Sequence, residues 1–238
     1  MFFAWSKDSS VVKLPVMPRS RRHTPGGYVY HALNRSCARL PLFQKERDYQ
    51  AFLNVLDEAL QRHPIRILGY CVMPNHWHVV LWPHHDDDMT NFLRWLTHTH
   101  TMRWHAHHHT VGTGHLYQGR FKAFPVQQDE HLYAVLRYVE RNALRAGLVK
   151  KAEDWRWSSL VHRLSAAGPK GRLSAWPVKV PRDWPAYVNK PQTEAEVEAV
   201  RRSANRGRPY GEEDWEAETA EELGLEFTMR PRGRLRKQ

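Results

Sequence analysis

The stretch IRILGYCVMPNHWHVVLW, residues 65–82, decides the fold. Residues 65–73 are a short apolar run, Pro74-Asn75 is a turn signal, and residues 76–82 are apolar again. Two such runs around a tight turn predict a hairpin. Strand side chains alternate between faces, so His76 and His78 share one face while Trp77 takes the other. Working outward, Tyr28 to Leu33 is β-rich and reads as an earlier strand. Lys45 to His63 carries Tyr49, Phe52, Leu53, Leu56 and Leu60 at helical spacing, and Pro64 stops it. Thr90 to His107 is a second helix with Phe92, Leu93, Leu96 and Met102 on one side. Phe121 to Val126 reads as a fourth strand. Glu130 to Ala146 is a third helix, closed by Gly147. The order β-α-β-β-α-β-α predicts an α+β fold: a ferredoxin-like split βαβ antiparallel sheet with helices on one face. Such a sheet leaves its other face for a substrate.

The remaining chain divides around this unit. Residues 1–26 read as a basic arm punctuated by Pro and Gly, with Arg19, Arg21 and Arg22. Met17 is an alternative start, in which case residues 1–16 are not part of the natural protein. Residues 27–160 hold the predicted domain. Residues 161–200, rich in Pro, Ala, Ser and Lys, read as a linker with scattered Trp anchors. Residues 201–238 read as an extended basic tail interrupted by acids, so that 161–238 forms one linker and DNA-contacting extension.

Composition narrows the function. Lys and Arg number 36 against 25 Asp and Glu, a formal charge of +11, which points to a polyanionic partner such as nucleic acid. No apolar run approaches the ~20 residues needed to span a bilayer, and the first residues make a poor signal peptide. Two cysteines, Cys37 and Cys71, exclude a disulfide scaffold or a Cys-rich zinc site, and both read as core residues rather than nucleophiles. A reducing cytoplasm, with the protein associated with the nucleoid, fits these features.

Two constellations carry chemistry. His76 and His78 on one strand face are placed to grip one divalent cation, because neutral imidazole is a common metal ligand. A hydrogen-bonded histidine pair on a half-buried strand fits the same spacing. On the third helix, Leu132, Val135, Leu136, Val139 and Ala143 form the apolar stripe, and Tyr138 lies off its centre. Asn142 is one turn on, and Arg141 and Arg145 flank the same side. A phenol, an amide and two guanidiniums on one edge suit attack on a phosphodiester. An amphipathic tyrosine at a core boundary is the plainer alternative. Gln118, Arg120 and Lys122 are candidate phosphate contacts. Arg206 and Arg208, in an Arg-Gly-Arg-Pro segment, are candidates for the minor groove. The histidines between residues 98 and 109 scatter around a helix and do not predict one shared metal site. His84, His85 and the aspartates at 86–88 read as a solvated turn.

Three segments, PNHWHVV (74–80), GHLYQGRFK (114–122) and YVERNALRAGLV (138–149), together resemble the IS200/IS605 transposases, single-tyrosine members of the HUH nucleases. The resemblance is nearest to the REP-associated tyrosine transposases and runs from about Pro18 to Leu160, with a similar C-terminal extension. It implies that His76 and His78 hold Mg²⁺ or Mn²⁺, that Asn142 completes the metal site, and that Tyr138 is the nucleophile. It implies a 5′-phosphotyrosine intermediate with a free 3′-hydroxyl. The implied substrate is single-stranded DNA beside a palindromic hairpin, and the implied state is a monomer rather than a dimer. Many relatives have Asn-Pro where this chain has Asn142-Ala143, and Ala143 is expected to extend the helix. A domesticated protein that holds hairpin DNA without cutting is the first alternative. A replication initiator or relaxase and an RNA-binding ferredoxin-like domain are the others. The last leaves both histidines unexplained.

Overall fold

A computed structural model describes residues 24–165 and 171–230. Its centre is an antiparallel sheet of β1 (Val29–Arg35), β2 (Arg66–Met73), β3 (His76–Trp82) and β4 (Lys122–Val126), in the order β2-β3-β1-β4. The helix α1 (Glu46–Arg62) joins β1 to β2, and α2 (Asp88–His108) joins β3 to β4. This is the predicted split βαβ order, with boundaries within two residues of those expected. Both connecting helices lie on one face. Their stripes (Phe52, Leu56, Phe92 and Leu96) pack on Tyr30, Tyr70, Trp77, Val79 and Leu81.

Trp77 explains why a large side chain alternates with the histidines. It is wholly buried under α1 and α2, and its indole N–H donates to the Tyr117 hydroxyl at 3.1 Å. That hydroxyl also lies 2.8 Å from Nδ1 of buried His100 on α2. The indole therefore supplies apolar area while its polar edge is satisfied. Its neighbours in sequence are thrown to the opposite face.

The opposite face is partly covered by a third helix. It runs as α3 (Glu130–Glu140), turns at Arg141, and resumes for one turn as α4 (Asn142–Arg145). The expected single helix thus has a break two residues before Ala143, although Arg141 keeps near-helical angles of φ −81° and ψ −4°. Gly147 ends the run at φ +70°, the left-handed conformation expected of its position.

Close approach of α3 depends on Gly69. β2 has a register shift between Ile67 and Gly69, and a Cβ at Gly69 would sit 2.6 Å from Cδ2 of Leu136. The irregularity also leaves the Leu68 carbonyl for the Trp176 indole, which donates to it at 2.8 Å.

Residues 161–200 are not simply a linker. They contain α5 (Ser159–Leu164, its start just before), α6 (Trp184–Asn189) and the first half of α7 (Glu194–Arg206). Trp176, Trp184, Val188, Val197 and Val200 are buried in the cluster that contains Leu132, Val135, Leu136 and Val139. The apolar outer side of α3 needs this cover, and the Pro- and Lys-rich composition conceals it. Beyond α7 come α8 (Glu213–Glu222) and α9 (Glu226–Met229). Tyr210 runs along the edge of β4: its N–H donates to the Pro125 carbonyl, and its carbonyl accepts from Gln127 N–H, both at 3.0 Å. The open edge is thereby covered. The basic end of the tail, 231–238, lies outside the described residues, as do residues 1–23 of the arm, Met17 included.

Gly69→Ala should destabilise the fold by about 1–3 kcal/mol, because Leu136 is buried and the added methyl overpacks the α3–β2 contact. Urea denaturation measures this, and an unchanged midpoint would contradict the packing argument.

Candidate active site

β3 presents His76 and His78 on one face, with ring centroids 5.0 Å apart and planes at 80°. The registers of β3 against β1 and β2 fix what surrounds them: Arg35 and Met73 are opposite His76, while Leu33 and Cys71 are opposite His78. α3 brings Tyr138 onto the same face, its ring 5.9 Å from that of His78. Asn142 follows on α4. The Arg145 guanidinium lies 4.1 Å from the Tyr138 ring centroid and donates to Asn142 Oδ1 at 3.0 Å. His76, His78, Tyr138, Asn142 and Arg145 all border one open cavity of about 630 Å³. Among the described residues no side chain hydrogen-bonds the Tyr138 hydroxyl.

The imidazoles are held in the form that binds metal. Nδ1 of His76 is 2.7 Å from Oδ1 of Asn75, which only accepts, so Nδ1 carries the proton and Nε2 keeps its lone pair. Nδ1 of His78 is 2.8 Å from Nε2 of His31, and the two rings are stacked at 11°. A metal-binding His78 must donate from Nδ1 to His31, which leaves Nε2 of His78 open. Burial, then the charges of Arg35 and Arg145, lowers the His76 pKa to about 3. Burial, followed by His76 and His31, holds His78 well below its ordinary value. Both rings are therefore neutral at pH 7. Asn142 Nδ2 is buried without a partner among the described residues. Two imidazoles with open Nε2 atoms, and the Asn142 amide oxygen on the same cavity, which already accepts from Arg145, fit a divalent ion with open positions.

His31 was not legible as part of the site. It is wholly buried and 6.2 Å from the Tyr138 ring. Its role depends on strand pairing across 47 residues, which no local spacing reveals.

The basic candidates separate into two groups. Arg120 and Lys122 border the cavity beside Arg145, and Lys122 Nζ donates to Asn205 Oδ1 at 3.2 Å. Arg141, expected beside Tyr138, instead turns to the end of α6 and donates to the Val188 carbonyl at 3.0 Å and to that of Asn189. Arg206 donates to the Thr228 carbonyl at 2.7 Å, and Arg208 pairs with Glu216. These three guanidiniums hold the C-terminal helices together. Arg19, Arg21 and Arg22 lie outside the described residues. The cavity gains two cations that the sequence did not single out, Arg35 from β1 and Arg201 from α7. Among the described residues, five cationic side chains thus line it, and no carboxylate does.

Other polar groups are accounted for elsewhere. Asp88 accepts the backbone N–H groups of His84 and His85, as a solvated turn requires. Cys71 is wholly buried, and burial pushes its thiol up to about 12. No described helix is long and apolar enough to cross a membrane.

Residues 26–142 match the family described as Transposase IS200 like, a span that includes Tyr138 and ends on Asn142. This domain belongs to the IS200-like transposase family. Among solved structures, this chain is similar to a REP-associated tyrosine transposase bound to a REP hairpin. Identity is 19% over 74% of this chain and 98% of that one, with a TM-score of 0.51. That likeness supports the transposase fold. A protein of Deinococcus radiodurans R1 assigned as a transposase matches at 17% identity over 46% of this chain and 85% of its own, with a TM-score of 0.35. No curated protein sequence matches.

The buried histidines of the transposase domain should make its fold acid-sensitive. Burial lowers the pKa of His31 and of His100 to about 3 in each case. The unfolded chain titrates near 6.5. A depressed histidine contributes its full stability above pH 6.5 and loses it as the pH falls toward the folded value. Stability should therefore drop by roughly 1 kcal/mol per pH unit for each such histidine between about pH 6 and 4. Urea midpoints at pH 7 and pH 5 measure the drop. His100→Gln, which keeps a polar partner for Tyr117, should make it shallower.

Proposed function

We propose that this protein is a metal-dependent single-stranded DNA endonuclease and strand transferase that acts beside palindromic hairpins through Tyr138. The observation that carries the reading is the meeting of Tyr138 with the His76–His78 pair in a cavity lined, among the described residues, by five cations and no carboxylate. A hydrolase without a polyanionic substrate has no use for such a wall.

The chemistry follows from the residues. The Tyr138 oxygen attacks phosphorus and gives up its proton, the bond to the 3′ oxygen breaks, and that oxygen takes up a proton. The products are a 5′-phosphotyrosine and a free 3′-hydroxyl. The same hydroxyl can attack in reverse, so joining needs no nucleotide cofactor. Mg²⁺ or Mn²⁺ held by His76, His78 and Asn142 would supply Lewis-acid stabilisation to the phosphate. Arg145 lies against the Tyr138 ring and orients Asn142, and Arg35 stands opposite His76, so both are poised to neutralise phosphate charge.

Hairpin DNA as partner is supported by the bound REP hairpin of the similar structure. Both halves of the site come from one chain, which supports a monomer as the working unit. The DNA-bearing surface in this reading combines the domain at 27–160 with α7 of the C-terminal extension. A nucleoid-associated cytoplasmic location accords with a DNA substrate.

Wild type and Tyr138→Phe, incubated with labelled hairpin DNA in Mn²⁺ or EDTA, test the reading on a denaturing gel. Wild type with Mn²⁺ should give a covalent adduct and a cut strand. EDTA or Tyr138→Phe should abolish both, while Tyr138→Phe still shifts DNA on a native gel. A shift without any adduct from wild type would instead favour the non-cutting hairpin binder.

The assignment of cations has its own test in the salt dependence of binding. Each phosphate contact to a single strand contributes about 0.7 to the slope of log K against log salt. Arg201→Ala should lower the slope by roughly that amount, and Arg141→Ala should leave it unchanged.

A further inference from the structure

A second group of metal-binding side chains lies on the other side of the sheet. His107 and His108 end α2, and Asp48 lies in the first turn of α1. One ligand atom from each lies within 4.8 Å of the others. Both helices pack on the Trp77 face, so the sheet separates this group from Tyr138. We propose that Asp48, His107 and His108 form a zinc-class metal site that ties the start of α1 to the end of α2.

Three features show a site built for a cation. The first is the state of Asp48. Its side chain is only 8% exposed, yet Oδ2 alone accepts the backbone N–H groups of Gln44 and Lys45, both at 2.9 Å. These bonds fix the carboxylate plane. The Arg47 guanidinium reaches Oδ1 only at 4.0 Å and is 64% exposed, so the charge is weakly compensated. The second is the fixed ring of His108. It lies against Trp104, with centroids 4.1 Å apart and planes at 30°. Trp104 is itself anchored by its indole N–H on the Leu42 carbonyl at 3.0 Å. The third is the position at a helix C-terminus, where the last carbonyls favour a positive charge.

The donors select the metal. Two imidazoles and one carboxylate leave a fourth position for water, the ligand count and type of an open tetrahedral zinc site. This donor set favours Zn²⁺ over Ca²⁺, which takes six to eight oxygen ligands. The group borders a cavity of about 290 Å³, which leaves access for the ion and its water. A bidentate Arg103–Glu58 pair, at 2.6 and 2.8 Å, already joins the same two helices. A bound ion would be a second tie, nearer the helix ends. It has no path to Tyr138, so its effect is on stability.

Tag-free full-length protein, stripped with EDTA, tests this in a His76→Ala/His78→Ala background that removes the other histidine pair. Calorimetric titration with Zn²⁺ should give one equivalent. Adding His107→Ala and His108→Ala should weaken binding at least tenfold. Co²⁺ should give the visible absorption of four-coordinate nitrogen and oxygen ligation in the background protein and not in that variant. Zn²⁺ should also raise the melting temperature only when His107 and His108 are present. His107 is exposed, so the single His107→Ala variant, checked by circular dichroism, guards against a folding artefact and should also weaken binding. Failure of the background protein to hold Zn²⁺, or equal binding after the His107 and His108 changes, overturns the proposal. Neither result bears on cleavage by Tyr138.

Discussion

Glu140 is a carboxylate with no solvent exposure, two residues beyond Tyr138 and on the side of the helix that meets Gly69 of β2. A buried charge left unpaired costs several kcal/mol, so its partners are obligatory. The Ser159 hydroxyl donates to it at 2.5 Å, the Trp184 indole at 2.6 Å and Arg163 Nε at 3.1 Å. Ser159 also accepts the Tyr70 N–H of β2 at 2.9 Å. One network therefore joins the sheet, the tyrosine helix, α5 and α6. The height of Tyr138 above the histidines depends on it, because this network and the close approach of Leu136 to Gly69 together hold α3 against β2. Loss of any one partner would leave the carboxylate short of donors and loosen the whole contact.

The histidine face can remain polar because the other face carries the packing. Trp77, Tyr70, Phe52 and Phe92 are all fully or nearly fully buried on the α1–α2 side. The strand alternation that sends Trp77 into that core sends His76 and His78 to the cavity. There, several polar atoms lack partners among the described residues: His31 Nδ1, Arg35 Nε and Asn142 Nδ2. Buried unpaired groups are rare in a finished structure and call for an explanation. Three of the seven such atoms among the described residues lie around Tyr138, with five cations alongside, which is what the proposed phosphate-bearing ligand would satisfy.

What the sequence made legible was what depends on local periodicity. The hairpin at 65–82, the shared face of His76 and His78, and the one-turn spacing of Tyr138 and Asn142 follow from repeat distances of two and about four residues. Features that depend on distant pairing were not legible. His31 meets His78 only through the β1–β3 register. Arg141 sits at the angle on the helix that the wheel assigns, but which side of the helix is open is decided by α6, nearly 50 residues later. Composition misled over residues 161–200, where Pro, Ala, Ser and Lys outnumber the large apolar residues. Trp176 and Trp184 carry that segment's burial, and two large aromatics hardly alter a composition average.

The C-terminal segment is therefore a wall of the site and not an appendage to it. Its inner side covers Leu132, Val135 and Val139 of the tyrosine helix, and its α7 turns Arg201 and Asn205 toward the cavity. Arg137 reinforces the same contact, donating to the carbonyls of Lys190 and Pro191 at 2.8 Å each. Covering the outer face of α3 within one chain has a geometric consequence. The apolar stripe that would otherwise need a partner is already buried, and Tyr138 stays over the histidines of its own sheet. Position of Tyr138, closure of the apolar stripe and the positive charge of the cavity are then three results of one packing arrangement, because all three require α6 and α7 to lie along α3.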